Sequence, residues 1–147
     1  DKLGNADRVA QVTLELRNNI AYVTFDHVAA RNAMTVGMYQ SLKSICQDLS
    51  NNPAVRVAIL RGAGGKSFVS GSDIAQFASF TGGQDGVLYE EDIDNYLSPL
   101  ALLPIPTIAV IDEMAINYIK SKQVNIVQNN VAFIEEVSNQ KTNQSGY

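Results

Sequence analysis

The residues best placed to do chemistry gather in Phe68-Val69-Ser70-Gly71-Ser72-Asp73-Ile74-Ala75-Gln76-Phe77. A strand-like run, Val55-Arg56-Val57-Ala58-Ile59-Leu60, leads in through Arg61-Gly62-Ala63-Gly64-Gly65-Lys66. Ser72 or Asp73 is placed to cap a helix carrying Ile74 and Phe77. A turn of small residues opening a helix at the carboxyl end of a strand leaves backbone N–H groups without intrahelical partners. Such groups can face an anion or a developing oxyanion, and Gly71 lets a ligand come close to the main chain. The chemistry on offer is stabilisation of negative charge on oxygen by main-chain amides. By residue type alone, the pattern also fits a plain strand–turn–helix joint.

Other reactive residue types are less well placed. His27 is the only histidine and has no Cys, Asp or second His at ligand spacing, so no metal site is expected. Its neighbour Asp26 would point to the opposite face of a strand, which leaves His27 without a partner as a base. Gly62-Ala63-Gly64-Gly65-Lys66-Ser67 looks like a phosphate loop, but the G-x-x-x-x-G-K-[ST] pattern needs glycine where Leu60 stands. Glu90, Glu91, Asp92 and Asp94 read as a solvated helix face. Cys46 lies on the apolar stripe of a helix and reads as packing rather than as a nucleophile.

Composition narrows the classes further. The chain has 147 residues, enough for one domain with a real core. Its net charge is −4 with Lys and Arg scattered, which argues against nucleic acid as a partner because phosphate binding needs a clustered basic face. A single cysteine rules out an intrachain disulfide and fits a reducing compartment. The first eight residues are polar, and no run of 18 apolar residues occurs, so neither a signal peptide nor a membrane span is expected. The expectation is a soluble, cytoplasmic protein.

The elements that would position the 68–77 stretch emerge from periodicity. Residues 12–16 and 20–25 alternate across Asn18-Asn19 and read as a β-hairpin. Thr35 can cap a helix running to Asn51-Asn52-Pro53, with Tyr39, Leu42, Cys46 and Leu49 on one stripe widened by Met38 and Ile45. The strand at 55–60 is apolar apart from Arg56, as in a sheet covered on both faces. Residues 81–86 read as a flexible link, 87–103 as a helix, and 107–111 as another buried strand. The class is α/β.

This order of elements and motifs resembles the crotonase (enoyl-CoA hydratase/isomerase) superfamily. Ser67-Phe68-Val69-Ser70-Gly71-Ser72-Asp73-Ile74 is similar to the S-F-x-A-G-x-D-[IL] segment of that family, with Ser70 where Ala is common. Arg31-Asn32-Ala33-Met34 is similar to its basic residue followed by N-A-[LM]. The preceding V-R-V-A-I-L-R-G-A-G and the following I-P-T-I-A-V-I also sit where the family has them. The resemblance covers about three quarters of the chain. It implies a crotonase-like ββα spiral fold, with Ser72 N–H as the first of two oxyanion-hole donors to an acyl-CoA carbonyl. It also implies a substrate site at Ser70, Gly71, Asp73 and Ile74, with Ala29, Ala30 and Arg31 beside the CoA and Arg31 near a phosphate. Coenzyme A would enter as part of the substrate in fatty acid metabolism, with no separate cofactor and no metal.

The resemblance ends at Asp112. The family expects a glycine-rich turn there, which supplies the second donor and, in hydratases, a catalytic glutamate. Glu113-Met114-Ala115-Ile116-Asn117 stands in its place, and no glycine occurs between Gly86 and Gly146. Neither role can be carried over, Glu113 included. Losing one oxyanion donor costs on the order of 3 kcal/mol, and losing acid/base groups removes ~10²–10⁴ in rate. Three regions are expected: a partial crotonase-like core at 1–112, a divergent amphipathic helix at 113–138, and a polar, disordered tail at 139–147. The helix rests on Val124, Val127, Val131 and Ile134, although Val124-Asn125-Ile126 fits a short strand equally well. Two expectations compete: a truncated enzyme keeping half of an acyl-CoA site, or a homo-oligomeric interaction module joined through 113–138 with a vestigial site.

Overall fold

Alternation at the start of the chain becomes two antiparallel strands, β1 (Gln11–Arg17) and β2 (Ile20–Asp26), in the computed structural model, which describes residues 9–75, 81–111 and 131–135. Arg17 pairs with Ile20, leaving a two-residue turn in which Asn18 and Asn19 have φ of 50° and 66°. Positive φ at both central residues is the type I′ turn, whose twist matches that of the flanking strands. Asparagine accepts this left-handed geometry better than most residues.

After β2 the chain crosses through α1 (Val36–Ser50) to β3 (Val57–Gly62), which pairs parallel with β2. Thr35 begins α1 by accepting the Met38 N–H at 3.2 Å through its Oγ. The expected stripe is the one buried: Met38, Tyr39, Leu42, Cys46 and Leu49 all face inward. They meet Ala21, Val23 and Phe25 of β2 and Ala58 and Leu60 of β3. Burial alternates along β3, so Val57 and Ile59 are only half-buried. The strand is thus not equally covered on its two faces, although Val57 to Leu60 are all apolar.

Burial pushes the Cys46 thiol up from 9.0 to about 11. The native state therefore favours the protonated thiol. The associated stability is fully present below pH 9.0 and is lost as pH rises toward about 11. Iodoacetamide at neutral pH is expected to leave the native thiol unmodified and to label it once urea has unfolded the chain. Rapid labelling of the folded protein would place Cys46 outside the core.

The second long helix, α2 (Gly83–Ala101), starts four residues earlier than expected and takes in most of the presumed link. Asp85 explains this. Its Oδ2 accepts the Thr81 N–H at 2.7 Å and the Thr81 hydroxyl at 3.2 Å, so the third helical residue reaches back to secure the entering chain. The Thr81 N–H, aided by the Thr81 hydroxyl, holds the Asp85 carboxyl below its usual range. Ile93, Tyr96, Leu97 and Leu100 of α2 pack on the core that α1 covers.

β4 (Thr107–Ile111) comes next and pairs parallel with β3. The sheet order is β1-β2-β3-β4-β5, where β5 is Val131–Glu135, parallel to β4 with Thr107 opposite Val131 and Ile111 opposite Glu135. This corrects the expectation of a helix across 113–138. The spacing of Val131 and Ile134 suits a helical stripe, but five residues including Val, Phe and Ile suit a strand as well. A parallel edge on β4 offers a row of backbone groups that need partners. The rest of that segment and the 139–147 tail lie outside the described residues. No helix among the described residues is long and apolar enough to cross a membrane.

Candidate functional site

Phe25 of β2 lies opposite Gly62 of β3, so the chain leaves two neighbouring strands at the same end of the sheet. In α/β sheets, ligands bind outside the carboxyl ends of the strands. The loop at 27–35 opens with a 3-10 turn, Val28–Ala30, then places Arg31 and Asn32 at φ of 52° and 60°. The loop at 63–75 opens with another 3-10 turn, Ala63–Gly65. Asn32 ties the two together.

Asn32 is 1% exposed, and its side chain makes three hydrogen bonds. Its Oδ1 accepts the His27 N–H at 2.8 Å, while Nδ2 donates to Ala63 O at 3.0 Å and Ser67 O at 2.7 Å. Gly62 lies directly beneath this clamp. A Cβ there would stand 2.1 Å from Ser67 O, 2.5 Å from Phe68 O and 2.8 Å from Asn32 Nδ2. Phe68 then docks edge-on against Phe25, with centroids 5.5 Å apart. His27 belongs to the same scaffold. A carbonyl oxygen can only accept, so Nδ1–H donates to Ala33 O at 2.7 Å.

Beyond the clamp, the second loop lies alongside the first as a single rung of parallel ladder between Met34 and Ser72. Met34 N–H donates to Gly71 O at 2.7 Å, and Asp73 N–H donates to Met34 O at 2.9 Å. In a parallel rung, the partner residue bonds the peptides on either side of its opposite number. The N–H and C=O of Ser72 itself therefore point away from Met34. Next to it, Gly71 has φ of +124°, and a Cβ there would meet nothing within 4 Å. Among the described residues, nothing packs against that side of Gly71, next to the Ser72 amide.

The structure brings most of the sequence-derived site residues together. Ser70 Oγ donates to Ala30 O at 3.2 Å, which joins the loop at 63–75 to the loop at 27–35. Asp73 caps the next turn by accepting the Ala75 N–H at 3.0 Å, and Ile74 and Ala75 take 3-10 geometry. Ala29, Arg31, Ser70, Gly71 and Ile74 are exposed, Ile74 by 80%. The two loops therefore present these residues to solvent. Glu113 and its neighbours, where the family's second donor would fall, lie outside the described residues.

Three participants are not apparent from the sequence: Gly62, the side chain of Asn32, and Tyr39. Asn32 stands out there only as part of a motif, although an asparagine three residues before the helix cap is itself a signal of loop bracing. Tyr39 reads as a core residue, and its ring is one. Its hydroxyl, however, lies 2.7 Å from Ser72 Oγ. Burial raises the Tyr39 hydroxyl above its ordinary range, with Tyr89 adding to the rise and the Ser72 hydrogen bond opposing it. A separate groove of about 450 Å³ opens at the amino ends of β3 and β4, between Leu49, Val55, Arg56 and Pro104–Pro106. It lies at the far end of the strands from Ser72.

The family model for enoyl-CoA hydratase/isomerase matches residues 15–117. A short-chain-enoyl-CoA hydratase of Clostridium acetobutylicum is 31% identical over 108 residues, 71% of this chain and 40% of its own. An (E)-benzylidenesuccinyl-CoA hydratase of Thauera aromatica is 41% identical over 63 residues, 43% of this chain and 25% of its own. Among solved structures, an enoyl-CoA hydratase/carnithine racemase from Magnetospirillum magneticum shares the α/β fold with a TM-score of 0.64 at 30% identity, over 68% of this chain and 38% of that one. The chain thus spans 25–40% of the length of these relatives.

Proposed function

The chain belongs to the enoyl-CoA hydratase/isomerase family, and from that premise we propose that the Ser72 amide donates to the carbonyl oxygen of an acyl-CoA thioester. What supports this is the rung at Met34, which turns the Ser72 N–H off the ladder and toward the open side of Gly71. A fixed amide aimed where negative charge develops stabilises an enolate more than it stabilises the neutral thioester. The consequence is a more acidic α-carbon. Water addition across an enoyl double bond and migration of that bond both draw on this effect. The relatives' names, hydratase and isomerase, are in keeping with that chemistry.

In this reading, Ala29 and Ala30 flank the pantetheine arm, and the exposed Arg31 lies near a CoA phosphate. Gly71 and Ile74 border the acyl chain, while Ser70 and Asp73 hold the loop that presents the amide. Coenzyme A enters as part of the substrate. One amide is half of an oxyanion hole, and the described residues supply no acid or base facing it. The activity assigned to them is therefore thioester binding and polarisation, with fatty acyl-CoA as the substrate class.

Calorimetric titration with crotonyl-CoA and with free CoA tests the assignment. Both are expected to bind, the thioester more tightly by up to ~10-fold, the equivalent of one hydrogen bond of about 1.5 kcal/mol. Absence of heat at millimolar crotonyl-CoA would remove the assignment. Equal affinity for the two ligands would remove the role of the Ser72 amide.

A further inference from the structure

We propose that Tyr39 is a positioning residue, whose hydroxyl locks the Ser72 peptide at the angle from which its N–H meets the thioester; this rests on the acyl-CoA reading above. The rung at Met34 secures the peptides on either side of Ser72. Because a peptide is planar, the Met34 bond to Gly71 O also sets the direction of the Ser72 N–H on the opposite edge of the same plane. The rung is an isolated bridge of two hydrogen bonds, and an oxyanion donor on a bridge that opens loses the benefit of preorganisation. The side chain of Ser72 is a third handle on that bridge, and Tyr39 holds it.

The anchor is rigid. Tyr39 sits one turn into α1, its N–H bonded to Thr35 O at 3.0 Å, and it is only 7% exposed. Its ring stacks on Tyr96 of α2, with centroids 6.0 Å apart and planes 17° from parallel. From this fixed ring the hydroxyl reaches Ser72 Oγ at 2.7 Å, across 33 residues of sequence. Met34 and Tyr39 flank the same helix start, so one element grips Ser72 by main chain and by side chain. An aromatic residue without the hydroxyl would serve the core equally well. The hydroxyl faces the site.

Tyr39→Phe removes the oxygen and keeps the ring, so the fold is expected to survive. Two measurements on the full chain separate a positioning role from a packing role. In the ligand-free protein, amide hydrogen exchange at Asp73, whose N–H donates to Met34 O across the bridge, is expected to quicken by ~10-fold as the bridge opens more often. In titrations, crotonyl-CoA is expected to bind ~3–10-fold more weakly while free CoA binds unchanged. Adding Tyr39→Phe to a Ser72→Ala background should change neither reading, because the pair acts as a unit. Unaltered Asp73 exchange in Tyr39→Phe would overturn the proposal whether or not any ligand binds. If the parent protein fails to bind crotonyl-CoA, the acyl-CoA reading falls, and the exchange measurement still decides whether Tyr39 restrains Ser72.

Discussion

Gly62→Ala is expected to destabilise the protein by about 3 kcal/mol or more, at the severe end of single-residue effects. The backbone at Gly62, with φ −93° and ψ 142°, is one that alanine adopts without strain. Substituting glycine by alanine at such a position ordinarily stabilises by about 0.4–1 kcal/mol, through the unfolded state. Space decides otherwise. The added carbon would overlap two main-chain carbonyls, Ser67 O at 2.1 Å and Phe68 O at 2.5 Å, and neither is the yielding tip of a side chain. Relief requires the 63–73 loop to move off β3, which takes Ser72 with it. Gly65→Ala is the fitting comparison, because φ there is +70° but nothing lies within 4 Å of the new carbon. Backbone strain alone should cost it about 1 kcal/mol. Urea unfolding of both variants checks the ordering. A Gly62→Ala protein as stable as Gly65→Ala would mean that the loop has slack the packing does not reveal.

Asn32→Ala is expected to cost a comparable ~3 kcal/mol or more, for a different reason. Its side chain satisfies the His27 N–H and the carbonyls of Ala63 and Ser67 from a site that is 1% exposed. Each buried group left without a partner costs about 1–3 kcal/mol, and alanine at φ 60° adds about 1 kcal/mol of strain. Asn32→Asp distinguishes loss of the donor from loss of the whole clamp. It keeps an acceptor for His27 but turns a carboxylate toward two carbonyl oxygens. That carboxyl would be protonated more readily in the folded state than in the unfolded state, raising its folded pKa. The stability it retains would then be present at low pH and lost as pH rises. Asn32→Asp is therefore expected to unfold at lower urea at pH 7 than at pH 4, measured against the parent protein at each pH. Identical behaviour of the variant and the parent at both pH values would show that the Nδ2 bonds carry no weight.

These two positions also separate what the amino-acid sequence declares from what it conceals. The hairpin across Asn18-Asn19, the capped helix after Thr35, the 107–111 strand and the motif around Ser72 are all legible. Each is written in neighbouring residues: alternation, a 3-4-3 stripe, a cap, a turn that needs positive φ. The start of α2 is hidden because two glycines outweigh the reach of Asp85 back to Thr81. β5 is hidden because valines spaced 3 and 4 apart serve a helix and a strand alike. An edge strand is settled by its partner, not by its own pattern.

The site obeys the same division. The sequence determined that a turn of small residues follows a strand and can present a main-chain amide. It did not determine that Asn32 reaches Ala63 and Ser67 across 31 and 35 residues, or that Tyr39 reaches Ser72 across 33. Those contacts exist only once β2 and β3 pair in parallel and bring α1 back across the sheet. Periodicity records which side of an element is buried. Which atom a buried polar group will meet depends on register between strands far apart in the chain, and only the folded packing fixes that register.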